Sequence, residues 1–292
     1  MANNHKTDLT PFIKYFQAPE HLPFSLPGGP RAALLVHGFP GTPAEMIPLG
    51  KALHNQGWTV KGILLPGFGE QIHTLFDQTN TAWVDAVRQE LDRLKQIYPI
   101  TLLGGFSLGA AIAAQAAAIN PPDGLALMAP FWKLGSPLWK ILPGLSLLFP
   151  SIRPFRLVKI DFSDPEIRRG MGEFMPELDL DDPAVKQGIQ DFTLPTKIFL
   201  EIRRTGLKAW QSAPALQMPV LVLQGTRDET VKPTFTRQWV TRLPSQLSYH
   251  ELPAAHDLPD PRQPAWPQVE AAVLRFAEEL AQKSSRFPAN SL

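Results

Sequence analysis

The stretch TLLGGFSLGAAIAAQ, residues 101–115, decides the fold, because it joins an apolar run to an alanine-rich run through the pattern GFSLG at residues 105–109. The apolar run has the length and composition of a buried strand, and the alanine-rich run favours a helix. A serine between the two lies on a sharp strand-to-helix turn that exposes its hydroxyl. The pattern predicts Ser107 as a nucleophile, with a purely structural glycine–serine–glycine turn as the alternative.

The glycines on either side of this serine have a steric reason. A turn this sharp brings the backbones of strand and helix together, and a Cβ at Gly105 or Gly109 would collide with the chain opposite. The turn also forces Ser107 into an unfavourable backbone conformation, at a cost of about 1–3 kcal/mol. In return, the N-terminus of the helix favours negative charge that develops beside the hydroxyl.

Short apolar runs alternate with helical patterns along most of the chain. The clearest amphipathic helix is predicted over residues 81–98, with Thr81 as its N-cap. Its apolar positions recur every three or four residues: Trp83, Val87, Leu91, Leu94 and Ile97. Strands that alternate with helices predict an α/β fold, with a mostly parallel central sheet flanked by helices.

One long segment breaks this alternation, because residues 131–217 contain no apolar run typical of a strand. They contain acidic patches, and residues 195–210 have a pattern that predicts a helix. The sequence therefore predicts a helical cap, residues 131–210, inserted after the sixth strand. The core domain is then formed by residues 1–130 and 211–292.

A serine hydroxyl is a weak nucleophile at neutral pH, so it needs a base, and the base needs an orienting carboxylate. At such a turn the acid and then the histidine follow the serine along the chain. We predict His256, in the loop past the last predicted strand, rather than His250 within that strand. Asp228 is the predicted acid, with Glu229 as the alternative, because both follow the apolar strand PVLVLQG.

Besides the nucleophile and its base, an oxyanion hole is needed, in which two backbone N–H groups face the developing negative charge. The first is predicted at Leu108, directly after the nucleophile. The second is predicted at Phe39 in the loop HGFPG, because Pro40 has no N–H to donate. His37 at the start of this loop is then a bracing residue rather than the catalytic base.

The composition excludes several classes of function. The formal net charge is +1 over 292 residues, which favours neither nucleic acid nor an acidic membrane as a partner. Cysteine is absent, so disulfides and cysteine metal sites are excluded, and no metal or cofactor is expected. No apolar stretch reaches the roughly 20 residues of a membrane helix, and no secretory signal is visible. We therefore expect a cytoplasmic protein.

Four motifs in this order resemble the α/β-hydrolase superfamily, and HGFPGTP resembles its bacterial carboxylesterases and monoacylglycerol lipases. The motifs are LLVHGFPGTP at 34–43, GFSLG at 105–109, GTRDETV at 225–231 and AAHD at 254–257. The resemblance covers residues 30–130 and 211–283. The family pattern differs at Gly67-Phe68-Gly69, where the family has GHG, and at Ala255, where it often has Ser or Gly.

The resemblance implies hydrolysis of short- or medium-chain acyl esters, with monoacylglycerols among the candidate substrates, through an acyl-enzyme without a cofactor. It gives Ser107, His256 and Asp228 the roles of nucleophile, base and orienting acid, with Phe39 and Leu108 as oxyanion donors. A cofactor-free perhydrolase or carbon–carbon bond hydrolase on the same residues is an alternative. A small-molecule receptor that keeps the fold without catalysis is another.

The apolar stretch PLWKILPGLSLLFP, residues 137–150, has two interpretations. As a lid, its side chains line an acyl site or contact a lipid surface transiently, without stable insertion into a membrane. The alternative is that the stretch is simply buried against the sheet.

Overall fold

The computed structural model describes residues 9–136, 138–153, 161–165, 167–168, 179–191, 193–244 and 246–286. The strands are β1 (Phe24–Leu26), β2 (Arg31–Val36), β3 (Trp58–Ile63), β4 (Ile100–Phe106), β5 (Gly124–Met128), β6 (Ser151–Ile152), β7 (Leu194–Pro195), β8 (Val220–Gly225) and β9 (Leu247–Leu252). The α-helices are α1 (Ile47–Asn55), α2 (Asn80–Ile97), α3 (Leu108–Ile119), α4 (Leu138–Leu148), α5 (Pro183–Asp191), α6 (Thr196–Ser212), α7 (Pro233–Val240) and α8 (Trp266–Arg286). Short 3₁₀ helices span Thr10–Phe16, Pro19–His21, Pro43–Met46, Gly69–Asp77 and Ala213–Ala215.

Seven strands form one sheet in the order β1-β3-β2-β4-β5-β8-β9, in which only β1 runs antiparallel to its neighbour. The central strands β4, β5 and β8 are buried along their whole length. Helices cover both faces of such a sheet, which is why these strands are apolar throughout rather than alternating. The predicted α/β fold with a mostly parallel sheet is confirmed.

The register brings the carboxyl ends of the central strands to one edge of the sheet. Val36 at the end of β2 pairs with Gly105, and Phe106 at the end of β4 pairs with Met128 at the end of β5. Ligand sites of open parallel sheets form at this edge, because the connecting loops of successive strands meet there. The loops after β2, β4, β5, β8 and β9 therefore converge on Ser107.

Helix α2 begins one residue earlier than predicted, and this changes its cap. Thr79 has extended backbone angles, and its hydroxyl accepts the N–H of Ala82 at 3.2 Å. Thr81, the predicted cap, lies inside the helix, so that expectation was wrong. Ile97 was also expected on the buried face, but it is the last residue of α2 and its side chain is 70% exposed.

The segment between β5 and β8 contains α4, α5, α6 and the two-stranded antiparallel pair of β6 and β7. It follows the fifth strand in chain order, not the sixth as predicted, because among the described residues only β1 precedes β2. Helix α6 packs against α3, with Ile198 and Ala209 in the main hydrophobic core. No helix within the described ranges is both long and apolar enough to cross a membrane.

In contrast, α4 and the residue that follows it present large apolar side chains to solvent. The exposed side chains are Ile141, Leu147, Leu148 and Phe149. For these four residues, the interpretation of residues 137–150 as a stretch buried against the sheet does not hold.

The contact between α3 and β2 gives a test of the fold. A Cβ at Gly109 would overlap the carbonyl oxygen of His37 and lie too close to that of Val36. We expect Gly109→Ala to lower the free energy of unfolding by at least about 1–3 kcal/mol, because backbone atoms cannot move aside cheaply. Urea unfolding of the purified variant measures this.

The matched control is Gly188→Ala in α5, where a Cβ meets nothing within 4 Å. This variant should be as stable as the wild type or more stable by up to about 1 kcal/mol, since alanine favours a helix. Equal stability of the two variants would contradict the close approach of α3 and β2.

Candidate active site

Ser107 lies between β4 and α3 with φ 53° and ψ −117°, a conformation that is uncommon for residues other than glycine. Its N–H donates to the carbonyl oxygen of Met128 at 2.9 Å, and its own carbonyl accepts the N–H of Phe131. These bonds tie the turn to the end of β5 and to the start of the inserted segment. The serine hydroxyl is thereby held at the carboxyl edge of the sheet, as the GFSLG pattern predicts.

The three predicted triad residues come together at this edge. His256 Nε2 lies 2.9 Å from Ser107 Oγ, and His256 Nδ1 lies 2.7 Å from Asp228 Oδ2. Asp228 is 2% exposed, whereas the imidazole is partly open to solvent. The histidine is in contact with Phe106, whose ring centroid lies 5.0 Å from that of the imidazole. The arrangement forms a continuous hydrogen-bond chain from the serine to a buried carboxylate.

Backbone donors fix the carboxylate of Asp228. Its Oδ1 accepts the N–H of Thr230 at 2.9 Å and of Val231 at 2.7 Å, in the turn that leads to α7. With Oδ1 occupied in this way, Oδ2 is left to face His256. This division of the two oxygens favours the tautomer with the proton on His256 Nδ1, which leaves Nε2 free to accept the serine proton.

A buried glutamine, Gln224, also holds Asp228, and the sequence alone did not single it out. Its Nε2 donates to Asp228 Oδ2 at 3.1 Å and to the carbonyl of Val231 at 3.0 Å, and its Oε1 accepts the hydroxyl of Thr236. The residue is fully buried in β8. A signal was present in the sequence, because Gln224 is the one polar residue of the strand VLVLQG.

The alternative candidates for the base and the acid, His250 and Glu229, make their contacts away from Ser107. His250 is exposed on β9, where its Nε2 lies 2.9 Å from Ser248 Oγ. Glu229 is 87% exposed and forms an ion pair with Lys232. Neither side chain has a hydrogen bond to Ser107 or His256 among the contacts of the described residues.

The predicted bracing role of His37 has a clear geometry. The ring is fully buried; its Nδ1 donates to the carbonyl of Gly38 at 2.8 Å, and its Nε2 accepts the N–H of Leu65 at 3.1 Å. Burial lowers the pKa of His37 to about 4. Neutral His37 therefore joins the loop after β2 to the loop after β3.

The predicted oxyanion donors lie on two adjacent segments. Leu108 is the first residue of α3, where helix N–H groups lack partners within the helix. Phe39 lies in the loop after β2, which reaches α3 at the close contact between His37 and Gly109. Their role as donors stays a prediction.

The inserted segment is joined to the turn at Ser107 through Phe131, its first residue. Phe131, whose N–H contacts the Ser107 carbonyl, packs edge-on against Trp139 of α4 with ring centroids 5.8 Å apart. Arg203 of α6 donates to the carbonyl of Trp139, which holds α4 over α6. The insertion is therefore joined to the turn at Ser107 through the backbone of Phe131, and α4 packs on the side chain of the same residue.

Fold and site together define an α/β-hydrolase. The family model described as serine aminopeptidase, S33 (Hydrolase_4) matches residues 29–258, and the chain belongs to that family.

Part of the chain is also similar in sequence to an individual known protein. The thermostable monoacylglycerol lipase of Bacillus sp. (strain H-257) is 35% identical over 99 residues, which are 34% of this chain. The match spans 40% of that relative's length.

Two solved structures share the fold. One belongs to the metagenome-derived lipolytic enzymes LipS and LipT (TM-score 0.69, 17% identity, covering 89% of this chain and 98% of that one). The other is the monoacylglycerol lipase of Paleococcus ferrophilus (TM-score 0.63, 18% identity, covering 88% and 98%).

Buried His37 makes stability depend on pH. Below about pH 6.5 the unfolded chain binds a proton at this histidine, while the folded chain does not until about pH 4. Between pH 7.5 and 4.5 the wild type should therefore lose about 2–3 kcal/mol more unfolding free energy than His37→Gln. Urea unfolding of both proteins at both pH values measures this double difference.

The titratable groups that the two proteins share contribute equally to both pH dependences, so their contributions cancel in that comparison. An identical pH dependence of the two proteins would show that His37 is not buried in its neutral form.

Proposed function

We propose that this protein is a serine hydrolase that cleaves carboxylic esters through an acyl-enzyme. The observation that carries the proposal is the hydrogen-bond chain Ser107–His256–Asp228, with the serine held at φ 53° before a helix N-terminus. The family match and the likeness to a monoacylglycerol lipase support it.

In this mechanism His256 Nε2 takes the proton of Ser107 as its Oγ attacks the ester carbonyl carbon. The N–H groups of Phe39 and Leu108 stabilise the negative charge on the carbonyl oxygen. Collapse of this intermediate breaks the ester bond, and the imidazolium gives its proton to the leaving alcohol. A water molecule, deprotonated by the same histidine, then attacks the acyl-enzyme and releases the acid. Asp228 stabilises the imidazolium throughout and keeps its ring oriented.

The inserted segment, residues 131–210, is proposed to act as a cap that shapes the acyl site. The backbone of Phe131 is hydrogen-bonded to that of Ser107, Trp139 of α4 packs against Phe131, and α4 also carries exposed apolar side chains. These features favour acyl esters with an apolar chain, and monoacylglycerols are the natural first substrates to test.

The first test compares Ser107→Ala with the wild type on p-nitrophenyl esters from acetate to palmitate and on monoacylglycerols. We expect kcat/KM of the variant to fall by about 10³-fold or more, because no other group replaces the nucleophile. Aminoacyl p-nitroanilides in the same assay compare ester with peptide-like substrates, which the family description makes relevant. Thermal unfolding checks that the variant is folded.

Ser248→Ala is the matched control, because Ser248 forms a pair with His250 at the same 2.9 Å but on the exposed face of β9. Its activity should equal that of the wild type. Undiminished ester hydrolysis by Ser107→Ala would disprove the mechanism, and a folded wild type inactive on every ester would disprove the proposed activity.

Asp228→Asn tests the orienting role of the acid. The amide oxygen can still accept the N–H groups of Thr230 and Val231, but the NH₂ group then faces His256 and favours the wrong tautomer. We expect kcat to fall by about 10³–10⁴-fold, and thermal unfolding measures the cost of placing the new NH₂ group opposite the NH₂ group of Gln224. Asp260→Asn, at an aspartate paired with Arg262 on the same loop as His256, should retain activity. Equal kcat values for the two variants would contradict the role of Asp228.

A further inference from the structure

Glu45 is the only Asp, Glu, Lys or Arg between Arg31 and Lys51. It lies on the 3₁₀ helix Pro43–Met46, directly after the loop that carries Phe39. The residue is half-buried, and its Oε2 accepts the N–H of Gly38 at 2.8 Å. A charged side chain directed back into the chain rather than into solvent needs an explanation.

The loop is wrapped around this carboxylate. A Cβ at Gly41 would overlap the carboxylate of Glu45, and a Cβ at Gly38 would lie 3.4 Å from its Oε2. The carboxylate therefore fills the space beside Gly41, where a Cβ would displace it.

Gly38 is held at both of its polar atoms. Its N–H donates to Glu45, and its carbonyl accepts the proton of His37 Nδ1. The Gly38 carbonyl and the Phe39 N–H belong to one planar trans peptide, so they point in opposite directions. The direction of the Phe39 N–H is thus set once the two bonds fix Gly38, a residue with no intrinsic conformational preference of its own.

Charged groups on the neighbouring loop face Glu45. Asp257 and His256 interact with it electrostatically, and Asp260 and Arg262 line the same cavity. Burial and the charge of Asp257 raise the pKa of Glu45 to about 7, against the opposing effects of the Gly38 hydrogen bond and His256. Both forms of the carboxyl are therefore populated at neutral pH, and both offer an oxygen that accepts a hydrogen bond.

We propose that Glu45 is a positioning residue of the oxyanion hole, which holds the Gly38 N–H and, together with the His37 bond to the Gly38 carbonyl, fixes the backbone of Gly38 so that the Phe39 N–H faces the developing negative charge. The proposal rests on the proposed ester hydrolysis. It assigns to Glu45 the role of a hydrogen-bond acceptor, not of a charge, and no contact with the substrate.

The experiment compares Glu45→Ala and Glu45→Gln with the wild type. In Glu45→Ala the loop loses its acceptor, so kcat should fall by about 10–100-fold while KM changes by less than about threefold. Loss of an entire oxyanion donor costs about 10²–10³-fold, which sets the upper limit. In Glu45→Gln the amide oxygen accepts the same N–H, so kcat should return to within about threefold of the wild type. Glu70→Ala, at an exposed glutamate of the 3₁₀ helix Gly69–Asp77, is the control.

A trifluoromethyl ketone provides a second readout, because Ser107 adds to it to form a tetrahedral adduct with a negative oxygen. Its inhibition constant should rise for Glu45→Ala by about the same factor as kcat falls, and should stay near the wild-type value for Glu45→Gln. If Glu45 had only a structural role, its replacement would change the melting temperature but not the ratio of the variant's inhibition constant to that of the wild type.

The proposal is overturned if Glu45→Ala keeps its kcat and its affinity for the ketone. It is also overturned if the Ala and Gln variants lose activity equally, because acceptance of the hydrogen bond would then not matter. If the wild type hydrolyses no ester, the proposed function fails, and the ketone affinities of the variants still decide the role of Glu45.

Discussion

The close approach of α3 to the ends of β2 and β4 is the constraint on which the rest of the molecule depends. The Cα of Gly109 faces the carbonyl of His37, and a Cβ at Gly105 would lie 2.8 Å from the Cα of Ala110. At this spacing the chain can only reverse through a residue with positive φ, which is Ser107. The same approach brings the loop after β2 against the helix N-terminus, so Ser107 and the loop that carries Phe39 are positioned by one packing contact.

Two titratable side chains lie behind this loop, and burial shifts them in opposite directions. Burial lowers the pKa of His37 to about 4 and raises that of Glu45 to about 7. On acidification the folded state therefore loses stability through His37 between about pH 6.5 and 4. It gains stability through Glu45 between about pH 7 and 4.5, where the folded chain binds a proton that the unfolded chain does not. The two contributions offset each other, so the loop can hold two buried polar anchors with little net pH sensitivity.

The sequence predicts the sheet, the turn at Ser107 and the residues that meet there, because the apolar runs and the order of the motifs are visible along the chain itself. It does not predict what depends on distant packing. The cap of α2 falls at Thr79 instead of Thr81, since the helix start is set by where the chain leaves the preceding 3₁₀ helix. Gln224 stands out as the one polar residue of its strand, and Glu45 as the one Asp, Glu, Lys or Arg between Arg31 and Lys51, yet only the folded structure shows which atoms they contact.

Within the insertion, α6 and α4 are held in different ways. The N–H of Asn80 at the start of α2 donates to Glu201 of α6 at 2.9 Å, and Gln115 of α3 donates to the carbonyl of Thr205 at 3.1 Å. These buried bonds join α6 to the core, because breaking either would leave an unsatisfied polar group. Helix α4, in contrast, rests on α6 and presents apolar side chains to solvent, while its Trp139 packs against Phe131. Substitutions on the exposed face of α4 therefore cost little in folding free energy, whereas substitutions at the α6 anchors cost more.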